Sequence, residues 1–281
     1  MASEIHNNHE PLPLYRARAR NTAAESENRI HDDEVAAKYG FRGGLVPGVT
    51  VYGYMTVPVV EKFGPDWLER GSMQVKFHRP IYDGDEVIVR GRISAESFPM
   101  SIEVIAERSD GTTCASALAT MRNQTERPDK ALIDEYPLAP LPPVEARPIA
   151  SRERFVPGSP LGTIQERLNL RDDSLLRAME ERLSIYYGES AVAHPAVLLA
   201  LSNQILSRNF KLGPWIHAES AVINRSIVRD EEIAVRGRIV ECFERKGHEF
   251  VVIDVLVLTH DNRVAQQVRH TAIYRPRFAQ G

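Results

Sequence analysis

The sequence predicts an α+β protein made of two tandem copies of one unit, each a long buried helix wrapped by a curved antiparallel sheet. Three observations predict it: a duplicated strand motif, an apolar helix-length segment ahead of each copy, and a proline-rich stretch between them. At 281 residues, 43% hydrophobic and 26% charged, the chain has room for two ordinary cores.

The duplication is read directly. DEVIVRGRI at 85–93 is echoed by EEIAVRGRI at 231–239, and the identical VRGRI repeats at an offset of 146 residues, from Val89 to Val235. The flanks agree. Upstream, SMQVKFHRPIYDGDE pairs with ESAVINRSIVRDEE, each an alternating strand followed by a basic residue, Arg79 or Arg225. Downstream, both copies read as two strands joined at a tight turn, at Asp110-Gly111 and at Asp261-Asn262. Further upstream, LVPGVTVYGYMTVPVVEKFG pairs with VAHPAVLLALSNQILSRNFKLG, each beginning near a proline and ending near a glycine. These segments predict central helices near 46–63 and 193–210. They are apolar on most sides, so they belong inside a sheet rather than on the surface.

Residues 126–160 contain eight prolines and predict an extended connector, since proline suits neither helix nor sheet interiors. The expected division is a first domain at 1–125, the connector at 126–160 and a second domain at 161–281. The formal net charge of −3 advertises no nucleic-acid surface. Cys114 and Cys242 fall in separate halves, which predicts neither a disulfide framework nor a zinc site and fits a reducing cytoplasm. The N-terminus shows no signal-peptide core and no run approaches a membrane span, so the expectation is a soluble cytoplasmic protein.

The segment that carries chemistry is ESENRIHDDEVAAKYGFRGGLVPGVT at 25–50. Asn28 to His31 reads as a turn, and Asp32, Asp33 and Glu34 supply helix-start acids for a short helix that Gly40 ends. Arg42-Gly43-Gly44 forms a tight loop, and Pro47-Gly48 opens the first central helix. The free N–H groups at that helix start can stabilise a negative oxygen, such as the carbonyl of an acyl thioester becoming an enolate. His31 is the candidate to move a proton there.

This segment resembles the MaoC-like (R)-specific enoyl-CoA hydratases and acyl dehydratases. Their motif runs Asp-x-Asn-Pro-x-His, a short helix, a Gly-Phe-like pair and a His-Gly turn opening the helix of a hotdog fold. Asn28, His31, Gly40, Phe41 and Gly48 occupy matching places, and FHRPIYDGDEV resembles the family's F-x-x-P-x-x-x-GD stretch. The resemblance covers roughly residues 15–122, with the second half similar by architecture. It implies two tandem hotdog domains. It also implies hydration of a 2-enoyl-CoA or dehydration of a 3-hydroxyacyl-CoA, with the coenzyme A thioester as substrate and no other cofactor. Two positions depart from the motif: Ser26 stands where the family has its catalytic Asp, and Pro47 stands in the His-Gly turn.

The candidate catalytic residues are therefore His31 and Asn28, with Ser26 at the missing Asp position and Glu27 as a replacement carboxylate. Gly48 and Val49 are the candidate oxyanion donors, and Gly43, Gly44, Arg42 and His194 the remaining substrate-binding candidates. Each has a plainer role. His31 can hydrogen-bond its loop, and Glu27 can simply be solvated. Asn28 can hold backbone, Asp32 and Asp33 can cap, and Arg42 can be a solvated loop arginine. His194 can sit at a helix N-cap, and His78 and His217 read as surface or interface residues. The competing functions are an acyl-CoA thioesterase and a non-catalytic acyl-thioester-binding protein. The expected partner is a small-molecule acyl thioester, with self-association into a homodimer and no nucleic acid, membrane or metal.

Overall fold

The structure, a computed structural model, describes residues 10–124 and 130–278. The first half runs β1 (Tyr15–Arg18), α1 (Asp33–Ala37), α2 (Gly48–Phe63), α3 (Pro65–Arg70), β2 (Gly71–Phe77), β3 (Glu86–Ala95), β4 (Met100–Arg108) and β5 (Thr113–Met121). A connecting helix, α4 (Lys130–Asp134), leads to the second half: β6 (Pro160–Arg167), α5 (Ser174–Ala178), α6 (Pro195–Asn209), β7 (Ile216–Asn224), β8 (Glu232–Arg245), β9 (His248–Thr259) and β10 (Val264–Arg275).

All ten strands form one sheet in the order β1-β3-β4-β5-β2-β7-β10-β9-β8-β6. The order reads the same from either end once each strand is matched to its repeat, which is the sequence duplication written as topology. The seam is β2 against β7, antiparallel, with Gln74 opposite Ala221. The VRGRI copies lie on β3 and β8. Val89, Ile93, Val235 and Ile239 point into the core while the arginines point out, as a period of two requires.

The two central helices form at the predicted places. Every residue of α2 from Val49 to Val60 is buried, which matches its nearly unbroken apolar sequence. Gly64 ends it at φ 63°, with its N–H on the Val60 carbonyl. The helices α2 and α6 touch each other inside the curve of the sheet, α2 against β3 and β4, α6 against β6, β8 and β10. Gly53 permits close packing there, because a Cβ at that position would lie 1.8 Å from Met179 Sδ.

The proline-rich connector is not simply extended. It contains α4 ahead of its proline cluster, and it is packed onto the second half. Tyr136 is buried against Leu256, Leu258 and Val264, and Phe155 meets Phe210 and Tyr274 edge-on. Ala139 and Pro148 carbonyls accept bonds from Thr163 and Lys211. Apolar anchors between the prolines outweigh the stiffness of the chain. The expected domain boundary at 125/126, Pro128 and the first nine residues lie outside the described residues. Cys114 and Cys242 are both free thiols. Among the described residues, no helix is long and apolar enough to cross a membrane.

Candidate active site

The first-half segment folds over the start of α2 through hydrogen bonds of its own polar residues. Asp32 caps α1 at the Val35 N–H (2.9 Å), and Asp33 Oδ1 accepts from the Gly44 N–H (2.7 Å), so both acids do structural work. Gly44 must be glycine: a Cβ there would lie 1.9 Å from the His31 carbonyl oxygen, which also accepts from Asn21 Nδ2 at 2.7 Å.

Asn28 joins the two halves. Its Oδ1 accepts from the Trp215 N–H and its Nδ2 donates to the Trp215 carbonyl, both at 3.0 Å. The second Nδ2 proton reaches His31 Nε2 at 3.3 Å. His31 Nδ1 lies 2.6 Å from the Leu45 carbonyl, which can only accept. The network therefore assigns the proton to Nδ1 and leaves Nε2 as a lone-pair acceptor. Burial holds the His31 pKa below its ordinary value, opposed by the Leu45 carbonyl. The imidazole is neutral at pH 7, with its lone pair on Nε2.

His31 and Asn28 line a cavity of about 240 Å³ together with Gly48, the first residue of α2. Its other walls are chiefly apolar, among them Phe41, Leu45, Val51 and Phe77 from the first half and Trp215 and Ile216 from the second. The N–H groups of Gly48 and Val49 belong to the first helical turn and have no acceptor within the helix. Val49 itself is buried beside the cavity rather than among its lining residues. No carboxylate is among the described residues that line it.

The replacement carboxylate is not there. Glu27 is exposed and pairs with Arg147 across the connector (3.0 and 3.3 Å), a bond that lowers its pKa. Chain geometry explains this, since a turn beginning at Asn28 points Glu27 away from His31. Ser26 Oγ donates to the Asn28 carbonyl at 3.3 Å and supports the turn. Arg42 is tied to Asp85 and lies 4.2 Å over the Tyr82 ring, and neither it nor Gly43 or Gly44 lines the cavity.

His217 is not a surface residue. It is buried, 6% exposed, and lines the cavity against Gly48, where a Cβ would meet its Nδ1 at 2.9 Å. Its Nε2 bonds Ser220 Oγ at 2.7 Å, and that oxygen bonds His270 Nδ1 at 3.1 Å. Burial drives the pKa of His217 well down and that of His270 to about 3, so both rings stay neutral. Alternation counted back from Val222 and Ser220 would turn position 217 outward. The bulge opposite Thr271 and Ala272 reverses that parity, and nothing in the sequence announces it. His78 is exposed as expected, bonded to Ser116 at 2.7 Å, at the edge of the cavity.

The equivalent place in the second half is filled. His194 is the N-cap of α6: its Nδ1 accepts from the Ala196 N–H at 3.1 Å, and its Nε2–H donates to Glu181 at 3.2 Å. Both side chains are wholly buried. Burial would raise the Glu181 pKa, but bonds from His194, Leu183 and Arg182 outweigh it and hold it low. Tyr186 packs on the His194 ring at 4.5 Å, and Tyr54 donates to the Ala178 carbonyl at 3.3 Å. His194 thus locks a structural helix start and reaches no open space. Elsewhere, Glu231, His260 and Asp261 approach one another at the surface, with His260 already bonded to Glu231 and Asp261 to Arg263.

No protein-family model and no curated protein matches the sequence. Solved structures do match the fold over nearly the whole chain. A MaoC-domain protein from Chloroflexus aurantiacus, assigned as a dehydratase, aligns with a TM-score of 0.65 at 9% identity over 96% of this chain and 95% of its own. A double-hotdog protein of Mycobacterium tuberculosis aligns at 0.59 and 12% identity, covering 93% and 96%. An assigned oleoyl thioesterase from Lactobacillus plantarum aligns at 0.56 and 12%, covering 96% and 99%. The chain is a double-hotdog protein, similar along nearly its whole length to MaoC-like dehydratases.

Proposed function

We propose that the cavity binds an acyl thioester and that the protein interconverts 3-hydroxyacyl and 2-enoyl thioesters, with coenzyme A as the carrier. The observation that carries this reading is that neutral His31, with Nε2 as its acceptor, lines the same apolar cavity as the first turn of α2. In the dehydration direction, Nε2 takes the C2 proton of the substrate. The electron pair moves onto the thioester oxygen, where the Gly48 N–H at the first turn of α2 stabilises the enolate. The enolate then expels the 3-hydroxyl, which leaves as water carrying the proton from His31. Hydration is the reverse, so one imidazole serves as base and acid. A cavity of about 240 Å³ lies just below the usual ~300–1,000 Å³ of ligand pockets and suits a short acyl chain.

A second reading is a binder without turnover, favoured by the lack of a carboxylate among the described lining residues. Hydration of a short 2-enoyl-CoA, measured beside thiol release and acyl-CoA binding, separates the readings. Hydration without thiol release supports the dehydratase reading. Thiol release alone points to a thioesterase, and binding with neither reaction points to the binder.

A further inference from the structure

A second space adjoins the cavity on the seam between the halves. It measures about 690 Å³ and shares Phe77, His78, Ala218, His248 and Ile273 with the cavity at α2, so the two spaces abut. Part of its wall is the β8–β9 hairpin, Arg245 and Lys246 on one side of the turn and His248 on the other. Lys246 and Gly247 sit in the turn at φ 54° and 77°, the two positive angles of a tight two-residue hairpin. That turn presents Arg245 and Lys246 side by side in sequence. Neither has a carboxylate partner among the described residues, whereas Arg269, in the same groove, is held by both Asp254 oxygens. Just before the turn, Phe243 stacks on Phe250 with centroids 4.8 Å apart and planes 6° from parallel. Arg245 lies 5.2 Å over the Phe250 ring.

We propose that this groove holds the phosphorylated adenosine end of coenzyme A while the acyl end enters the cavity beside His31. The chemistry matches in each part: an aromatic face takes the adenine, and unpaired cations at a turn take the phosphates. Glu219 and Glu241 on the groove wall keep it from being a uniformly basic strip, which favours a ligand that places its phosphates at one end. A carrier protein would bring its phosphopantetheine without an adenosine and would leave the aromatic pair unused. The inference rests on the thioester reading for its acyl end, and the nucleotide-binding arm of its test does not depend on turnover.

The test is calorimetric binding of coenzyme A and of adenosine 3′,5′-bisphosphate to the full chain. Wild type is compared with Arg245→Gln/Lys246→Gln, and turnover is followed with a short thioester of N-acetylcysteamine, which lacks the nucleotide. The paired substitution should weaken both nucleotide ligands about 10- to 100-fold, the scale of losing charge-assisted phosphate bonds. It should leave N-acetylcysteamine thioester turnover unchanged and the melting temperature near wild type. Phe243→Ser should also weaken binding, as a check on the aromatic face. Nucleotide affinity unaffected by these changes, or a thioester on acyl carrier protein whose turnover falls instead, would overturn the assignment. Variant-sensitive nucleotide binding in a protein that turns over no thioester would keep the groove and remove the reaction. Turnover of the short thioester without nucleotide binding would do the opposite.

Discussion

Replacing Asn28 with aspartate alters one group in the network that holds His31 and should reverse the charge state of the imidazole. Asn28 Nδ2 now donates to the Trp215 carbonyl at 3.0 Å and to His31 Nε2 at 3.3 Å. In Asn28→Asp an acceptor oxygen takes that place, so it faces the Trp215 carbonyl and the unprotonated lone pair of Nε2, both acceptors. Protonating Nε2 relieves the second contact. At 3.3 Å the attraction between carboxylate and imidazolium is about 5 kcal/mol at an effective dielectric of 20. Burial of the charged pair offsets much of it, but about 1.4 kcal/mol left over moves a titration midpoint by one pH unit. His31, held below its ordinary value in the wild type, should then titrate above 6.5. A raised histidine pKa contributes stability that is present below the unfolded value and lost as pH rises through the folded one. The variant should therefore be weaker relative to wild type at pH 9 than at pH 6. Ring-proton NMR titration, assigned by loss of the signal in His31→Ala, reads the midpoint, and urea unfolding at the two pH values reads the linkage. A His31 midpoint that stays below 6.5 would refute the assigned network.

Gly44→Ala forces a methyl group against the His31 carbonyl, 1.9 Å from the ideal Cβ, and neither backbone can yield without opening the loop. It should destabilise by about 1–3 kcal/mol and lower turnover by about 10²-fold through misplacement of His31, read by urea unfolding and kinetics. Glu27→Gln should leave turnover within about twofold and stability within about 1 kcal/mol, since its pair with Arg147 is exposed on the Glu27 side. His31, His217 and His270 all have depressed pKa values, so the unfolded chain binds their protons first. Stability should be full above about pH 6.5 and fall toward pH 5.5, by up to about 1.4 kcal/mol per pH unit for each ring. A melting temperature that is flat or rises over that acid interval would contradict the burial of these rings.

The duplication was legible because VRGRI and its flanks sit on strands whose inward valines and isoleucines repeat every second residue in both halves. The central helices were legible for the same reason: unbroken apolar sequence has few other places to go. The packing of the connector is not legible, because proline content marks stiffness and does not reveal where Tyr136 and Phe155 are buried. His31, Asn28 and Gly48 could be picked out as neighbours in one local motif. Their partner Trp215 could not, because Asn28 bonds its backbone, which any residue supplies. A bulge in β7 hides the inward turn of His217 from the sequence, and the direction of the turn that carries Glu27 is not written in it either.

In the proposed reaction His31 moves the proton. Steady-state hydration of a short 2-enoyl-CoA by wild type and His31→Ala, with acyl-CoA affinity measured on the same samples, tests it most directly. Turnover should be lower by about 10²–10⁴-fold in the variant, with affinity and melting temperature little changed. Equal turnover in the two proteins, or a wild type that binds the thioester and converts none of it, would remove His31 from the proton transfer.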